Sequence, residues 1–166
     1  MLIRARRDTD MARLIELLWE SHANDDYPRY WPADAARFVI SPGETGAWVA
    51  EQDGMVVGHV ALHKASGDPT YEIAHRVTGL GANSLAVVAR LFTDGAFRRR
   101  GVGRALIEHA TVAAHADGRR PVLDVGQCLP AAIALYEAAG WTRLDGFRLE
   151  VRQGSLNLWV YLGPPP

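Results

Sequence analysis

Arg98-Arg99-Arg100-Gly101-Val102-Gly103 stands between an apolar, strand-like run, Leu85 to Thr93, and an alanine-rich helical run, Arg104 to Asp117. Glycines let a backbone approach a ligand closely, and the start of a helix offers unpaired N–H groups at a positive dipole end. Three arginines add charge where an anion would arrive. The stretch therefore suits a clamp whose amides close around a phosphate, although a plain turn with exposed arginines has the same letters. Two better-known phosphate loops are excluded. Arg104 follows Gly103 where a Walker loop has lysine, and Leu106 stands where a dinucleotide fingerprint has its third glycine.

Upstream of the clamp, elements alternate without a linker. Leu2 to Arg6 reads as a first strand, and Asp8 or Thr9 caps a helix whose apolar positions Met11, Leu14, Ile15 and Leu18 recur at helical spacing. Residues 22–32 read as a loop, and Ala33 to Val39 as a short second helix stopped by Ser41-Pro42-Gly43. Gly46 to Gln52 and Met55 to Lys64 are predicted strands joined by Asp53-Gly54, a strong hairpin signal. Ala65 to Asn83 is a polar, glycine-rich connection.

Downstream, Val102, Leu106, Ala110 and Ala113 form one face of the long helix. Pro121 to Gly126 is a short buried strand, expected to lie parallel to Leu85–Thr93 because a helix connects them. Pro130 to Ala139 is a helix with proline near its start and Gly140 just past its end. Trp141 to Val151 and Leu156 to Leu162 read as final antiparallel strands around Gln153-Gly154. The fold class is α/β: a mixed sheet with helices on both faces. Residues 1–163 make a single domain, and 164–166 a frayed tail.

A chain of 166 residues fits one domain and buries a full core. With 48% hydrophobic residues and a formal charge of -1, it reads as a soluble globule with no electrostatic case for nucleic acid. Met1 to Asp8 has no apolar core, so no signal peptide is expected. No run approaches the ~18 apolar residues of a membrane span. One cysteine, Cys128, excludes an internal disulfide and suits a reducing compartment, so the cytoplasm is the expected location.

Two motifs lie in the stretch from Leu85 to Trp141: R-R-R-G-V-G, and Ala132-Ile133-Ala134-Leu135-Tyr136-Glu137-Ala138-Ala139-Gly140-Trp141, with a helix and a strand between them. That pairing resembles the GNAT superfamily of N-acetyltransferases. The resemblance implies a mostly antiparallel central sheet with a splayed parallel strand pair, and acetyl-CoA as the cofactor. Arg98, Arg99, Arg100, Gly101, Val102, Gly103 and Arg104 match the loop whose amides hold the coenzyme A diphosphate, each charge-assisted contact contributing ~1.5–3 kcal/mol. Leu91, Phe92 and Thr93 match the segment that pairs with the pantetheine arm like a neighbouring strand. The thioester then lies in the gap between the strands at 85–93 and 121–126, near a backbone amide able to stabilise an oxyanion. Tyr136 matches the tyrosine that protonates the leaving thiolate. Trp141 replaces the more usual phenylalanine, and Leu129 stands where relatives often have an asparagine.

The reaction also needs a base. An alkyl amine with a pKa near ~10 is about one part in a thousand neutral at pH 7, so presenting it as a nucleophile costs ~4 kcal/mol unless its proton is removed. Several relatives use a glutamate on the fourth strand, but Leu85, Ala86, Val87, Val88 and Ala89 are all apolar here. Glu72 or His75 in the connection, His59 or His63 on the third strand, and a water relay remain as candidates. No metal is implied: His59 and His63 share a strand face but stand ~13 Å apart at ~3.3 Å per residue. Cys128 reads as a small structural thiol.

Acceptor choice falls to residues 22–32 and 65–83. Asp25 and Asp26 with Tyr27, Tyr30 and Trp31 would attract a cationic amine and cover its apolar part, although a solvated loop with partly buried aromatics has the same composition. The expected partner is a primary amine of a small molecule or peptide, and apolar strands near the C-terminus suggest a homodimer. The expected activity is direct acetyl transfer to that amine without a covalent enzyme intermediate. A coenzyme A-binding module without turnover is the alternative, favoured by the absent strand glutamate and by Leu129.

Overall fold

The computed structural model describes all 166 residues. In chain order the elements are β1 (Leu2–Ala5), α1 (Met11–Asp25), α2 (Ala35–Val39), β2 (Glu44–Gln52), β3 (Met55–Lys64), α3 (Pro69–Thr78), β4 (Leu85–Thr93), α4 (Val102–Ala116), β5 (Arg120–Gly126), α5 (Pro130–Ala138), β6 (Thr142–Val151) and β7 (Gly154–Leu162). Seven strands form one sheet in the order β1-β2-β3-β4-β5-β7-β6. Every neighbouring pair is antiparallel except β4 and β5, which a right-handed crossover logic through α4 makes parallel.

Alternation along the strands sends side chains to two different cores. On the rear face, Ala86 and Val88 of β4 and Leu123 and Val125 of β5 pack under Val102, Leu106, Ile107 and Ala110 of α4, with Tyr136, Trp141 and Tyr161. On the front face, Leu85 and Val87 with Val122 pack against Ile73 and Ala74 of α3. Further along the same face, Leu14, Leu17 and Leu18 of α1 cover Val49, Val56 and Phe92. Asp53 and Gly54 both take positive φ, 53° and 78°, the left-handed pair that a two-residue hairpin demands.

The expected connection between β3 and β4 contains a helix, α3. Its signals are local: the Asp68 carboxylate accepts from the Thr70 amide at 2.8 Å, Pro69 opens the first turn, and Gly79 closes it at φ 73°. Only Thr70, Ile73 and Ala74 of α3 are buried, so its apolar stripe is too short to announce a helix in the sequence. α1 likewise runs on to Asp25, and Asp26 ends it in the left-handed conformation at φ 59°. Of the two strands near the C-terminus, β6 forms an edge of the sheet. β7 lies inside the sheet between β5 and β6, and its Leu158, Val160, Tyr161 and Leu162 are buried.

Candidate functional site

The sheet opens between its parallel strands. β4 and β5 pair only at Leu85↔Arg120, Ala86↔Pro121 and Val87↔Val122, after which Val88–Thr93 and Leu123–Gly126 diverge. Each strand keeps its antiparallel partner on the far side, β3 for β4 and β7 for β5. The two inner edges therefore face each other unpaired, a slot for an extended chain that supplies its own hydrogen-bonding groups. A bulge on β4 marks the opening. Register shifts between His59 and Ala61 of β3, and Arg90 takes φ 57°.

The clamp sits where β4 leaves this slot. Asp94 caps a single 3-10 turn, Gly95–Phe97, by accepting from the Ala96 amide at 2.8 Å, and its second oxygen meets Arg13 of α1 at 2.8 Å. Arg99 at φ 59° and Gly101 at φ 80° then turn the chain into α4. α2 and α3 have aspartate caps; α4 has none. The first α4 amide with a backbone acceptor is that of Ala105, which donates to Gly101 at 2.9 Å. The amides of Gly101, Val102, Gly103 and Arg104 thus lack protein acceptors and converge at a positive dipole end, the arrangement that binds phosphate. The arginine side chains are exposed and partly engaged: Arg98 pairs with Asp25, Arg100 lies over the Phe97 ring at 5.2 Å, and Arg104 meets Glu108 at 2.8 Å. A polar hollow of about 400 Å³ adjoins the clamp on its α1 side. Carboxylates of Glu20, Asp25 and Asp94 line it, so a diphosphate is directed to the amides instead.

On the front side of the slot stands a cluster of polar groups. Asp124 projects from β5 to the face that carries Val122, and its Oδ2 accepts from the Thr70 hydroxyl of α3 at 2.7 Å. Solvent reaches Asp124, yet protein surrounds it on its other sides. That burial raises its carboxyl above the ordinary range, with Asp68 adding to the effect and Thr70 and Arg90 opposing it. Tyr136 of α5 is 7% exposed, and burial raises its phenol, with Tyr27 and Asp124 contributing in the same direction. The Tyr136 ring belongs to the core on the rear face, and its hydroxyl, which bonds to no protein group, is not sealed from solvent. Tyr27 is raised by burial too, with the Arg90 guanidinium beside it pulling the other way.

The remaining candidates fall elsewhere. Glu72 is exposed on α3, and His75 bonds the Leu80 carbonyl at 2.9 Å. His59 is fully buried against Phe92, its Nδ1 2.9 Å from the Arg90 carbonyl and its Nε2 3.1 Å from Arg6. His63 lies 3.1 Å from the Ser41 hydroxyl. Leu91 and Thr93 are half-buried beside the slot, and Phe92 turns into the front core. Of the acceptor set, Tyr27 joins the cluster, and the Tyr30 hydroxyl reaches the Ser155 carbonyl at 3.5 Å, where loop and β6–β7 hairpin meet. Asp26 pairs with Arg29, and Trp31 stacks edge-on against Trp19 at 5.1 Å. Cys128 is exposed in the turn after β5 rather than packed as a structural thiol. Asp124, Thr70 and Arg90 went unnoticed in the sequence. A lone acid in Val122-Leu123-Asp124-Val125 and a lone base in Ala89-Arg90-Leu91 were the signals available.

A mixed sheet split between two parallel strands, with helices on both faces, defines the fold class. The family follows: the model of the acetyltransferase (GNAT) family matches residues 11–141, and the chain belongs to that family. An uncharacterized N-acetyltransferase of Methanocaldococcus jannaschii is 28% identical over 137 residues, 80% of this chain and 56% of that protein. A mycothiol acetyltransferase of Cellulomonas flavigena is 34% identical over 94 residues, 56% of this chain and 27% of that protein. The chain therefore spans only part of the length of these relatives. The crystal structure of Arabidopsis thaliana NAA60 in complex with acetyl-CoA has the same fold at a TM-score of 0.72 and 18% identity, covering 97% of this chain and 96% of that one.

Proposed function

We propose that the chain is an acetyl-CoA-dependent N-acetyltransferase acting on a primary amine of a small molecule or peptide. The observation that carries this reading is the convergence of unpartnered clamp amides, the slot between β4 and β5, Asp124 on its front face and Tyr136 in the core behind it. The residues fit the cofactor: Gly101, Val102, Gly103 and Arg104 offer amides to its diphosphate, and the free edge of Val88–Thr93 offers main-chain groups to its amide-bearing arm.

When bound, acetyl-CoA supplies a thioester: the amine nitrogen bonds to its carbonyl carbon as the carbon–sulfur bond breaks, leaving an acetylated amine and a thiol. Asp124, as carboxylate, takes the proton that the amine gives up, and Thr70 orients it by donating to Oδ2. Tyr136 gives its proton to the departing sulfur, and both groups return to their starting forms by exchange with solvent. Their environments suit these roles. A raised carboxyl is a stronger base than an ordinary one, and a raised phenol stays protonated through neutral pH.

Thiol release from acetyl-CoA, measured over a panel of primary amines, tests the reading. Amine-dependent release supports it. Tight binding of acetyl-CoA with no release for any amine contradicts it and favours a binding module.

A further inference from the structure

Arg90 is a cation without a counterion. It is half-buried, and none of the protein's ion pairs includes it. Its Nε donates to the Phe38 carbonyl of α2 at 2.7 Å, and its guanidinium lies 3.9 Å from the Phe38 ring centroid. These contacts use Nε and one face of the group. The two terminal nitrogens enter no ion pair, and the guanidinium stands beside the Tyr27 phenol, whose acidity it raises.

The backbone beneath is strained to hold it there. Arg90 is a non-glycine residue at φ 57°, a conformation that residues with a Cβ rarely adopt. The bulge that imposes this turn is the one that opens the slot, and the His59 ring, 2.9 Å from the Arg90 carbonyl, braces it. A guanidinium held at Nε and on one face by Phe38, with Tyr27 beside it and no carboxylate paired to it, is a preorganised receptor for an anion. Across the cleft stands Asp124, close enough for the charge of each to act on the other, with Tyr27 beside the arginine.

We propose that Arg90 binds an acidic group of the acceptor, a carboxylate carried on the same small molecule as the reacting amine, so that the substrate class is amino acids rather than simple amines. This deepens the acetyltransferase reading and rests on it. The amine end meets Asp124 and the acid end meets the terminal nitrogens of Arg90, while Tyr27 lines the space between them. A simple cationic amine gains nothing from Arg90 and is repelled by it.

The test compares matched sets: α-amino acids, their uncharged amides, their decarboxylated amines, and the corresponding aminophosphonates. For the wild-type chain, kcat/KM is expected to be about tenfold or more higher for the acid than for its amide, the usual range for a charge-assisted contact. In Arg90→Gln the acid-to-amide ratio should fall to near one through KM, and in Arg90→Lys it should fall only in part. Equal wild-type rates for acid and amide overturn the anion site while leaving acetyl transfer intact. Faster turnover of aminophosphonates than of carboxylates overturns the carboxylate assignment and makes the acid a phosphonate. A second readout needs neither turnover nor a folded variant: thermal stabilisation of the wild-type chain with coenzyme A by an amino acid, compared with its amide. Acid-specific stabilisation with no thiol release from any amine supports the anion site and contradicts acetyl transfer. No acid-specific stabilisation contradicts the site.

Discussion

Asp124 is exposed yet tied to α3 through Thr70, and Tyr136 is almost wholly buried. Asp124→Asn keeps an oxygen to accept from Thr70 but removes the proton acceptor, so kcat is expected to drop by about 10²–10⁴-fold. The acid limb of the wild-type pH–rate profile should lie above the ordinary carboxylate range and disappear in the variant. A variant with the wild-type rate and limb would exclude Asp124 as the base. Stability moves the other way. A carboxyl raised in the folded state favours folding when protonated and loses that contribution as pH rises through its folded pKa. Asp124→Asn should therefore melt no lower than wild type at neutral pH, as calorimetry can show.

His59 gives a separate pH signature. Burial, then the charges of Arg6, Arg90 and His63, lower its pKa from 6.5 to about 4, against the favourable bond to the Arg90 carbonyl. The unfolded chain takes up this proton first, so stability present above pH 6.5 is lost as pH falls toward about 4. One such group contributes a slope of up to about 1.4 kcal/mol per pH unit. Denaturant titrations of wild type and His59→Gln should differ by a slope of this sign in that window, and parallel curves would remove His59 from the acid response.

Among the elements, the turn into α4 carries most of the cofactor reading. Gly101→Ala meets no atom within 4 Å, so its effect is conformational: a Cβ at φ 80° costs about 1–2 kcal/mol. The Kd for acetyl-CoA should rise about tenfold if that conformation is what aims the amides. An unchanged Kd would mean that the turn plays no part in binding. The end of α1 has a smaller influence. Asp25 neutralises Arg98, and both are partly exposed, so Asp25→Asn should tighten acetyl-CoA about two- to fivefold at low salt and have little effect at high salt. Loss of binding on that change would show instead that the ion pair shapes the clamp.

Taken whole, the molecule was legible in sequence wherever local rules decide structure. The glycines and arginines of the clamp, the Asp53-Gly54 hairpin and the run of strand, helix and strand from Leu85 to Gly126 each have a local cause, and the parallel pair follows from the crossover. α3 was missed because its capping letters, Asp68-Pro69 and Gly79, flank a stripe of few buried residues. The cluster at the slot was harder for a different reason. Asp124 and Arg90 look like interruptions of core strands until the register shows that β4 and β5 part there, and only tertiary packing brings Thr70 to one and Phe38 to the other. Asp25 and Asp26, read as acceptor ligands, also pair with Arg98 and Arg29, contacts that the sequence could not show because the arginines come within reach only in the fold.

The most direct test is an acetyl-CoA titration followed through backbone amide signals of the isotopically labelled chain. The amides of Gly101, Val102, Gly103 and Arg104 and those along Val88–Thr93 should shift together and gain protection from hydrogen exchange. Saturable binding that leaves these signals unmoved, with changes confined to the acidic hollow around Glu20 and Asp94, would contradict the placement of the cofactor and the chemistry built on it.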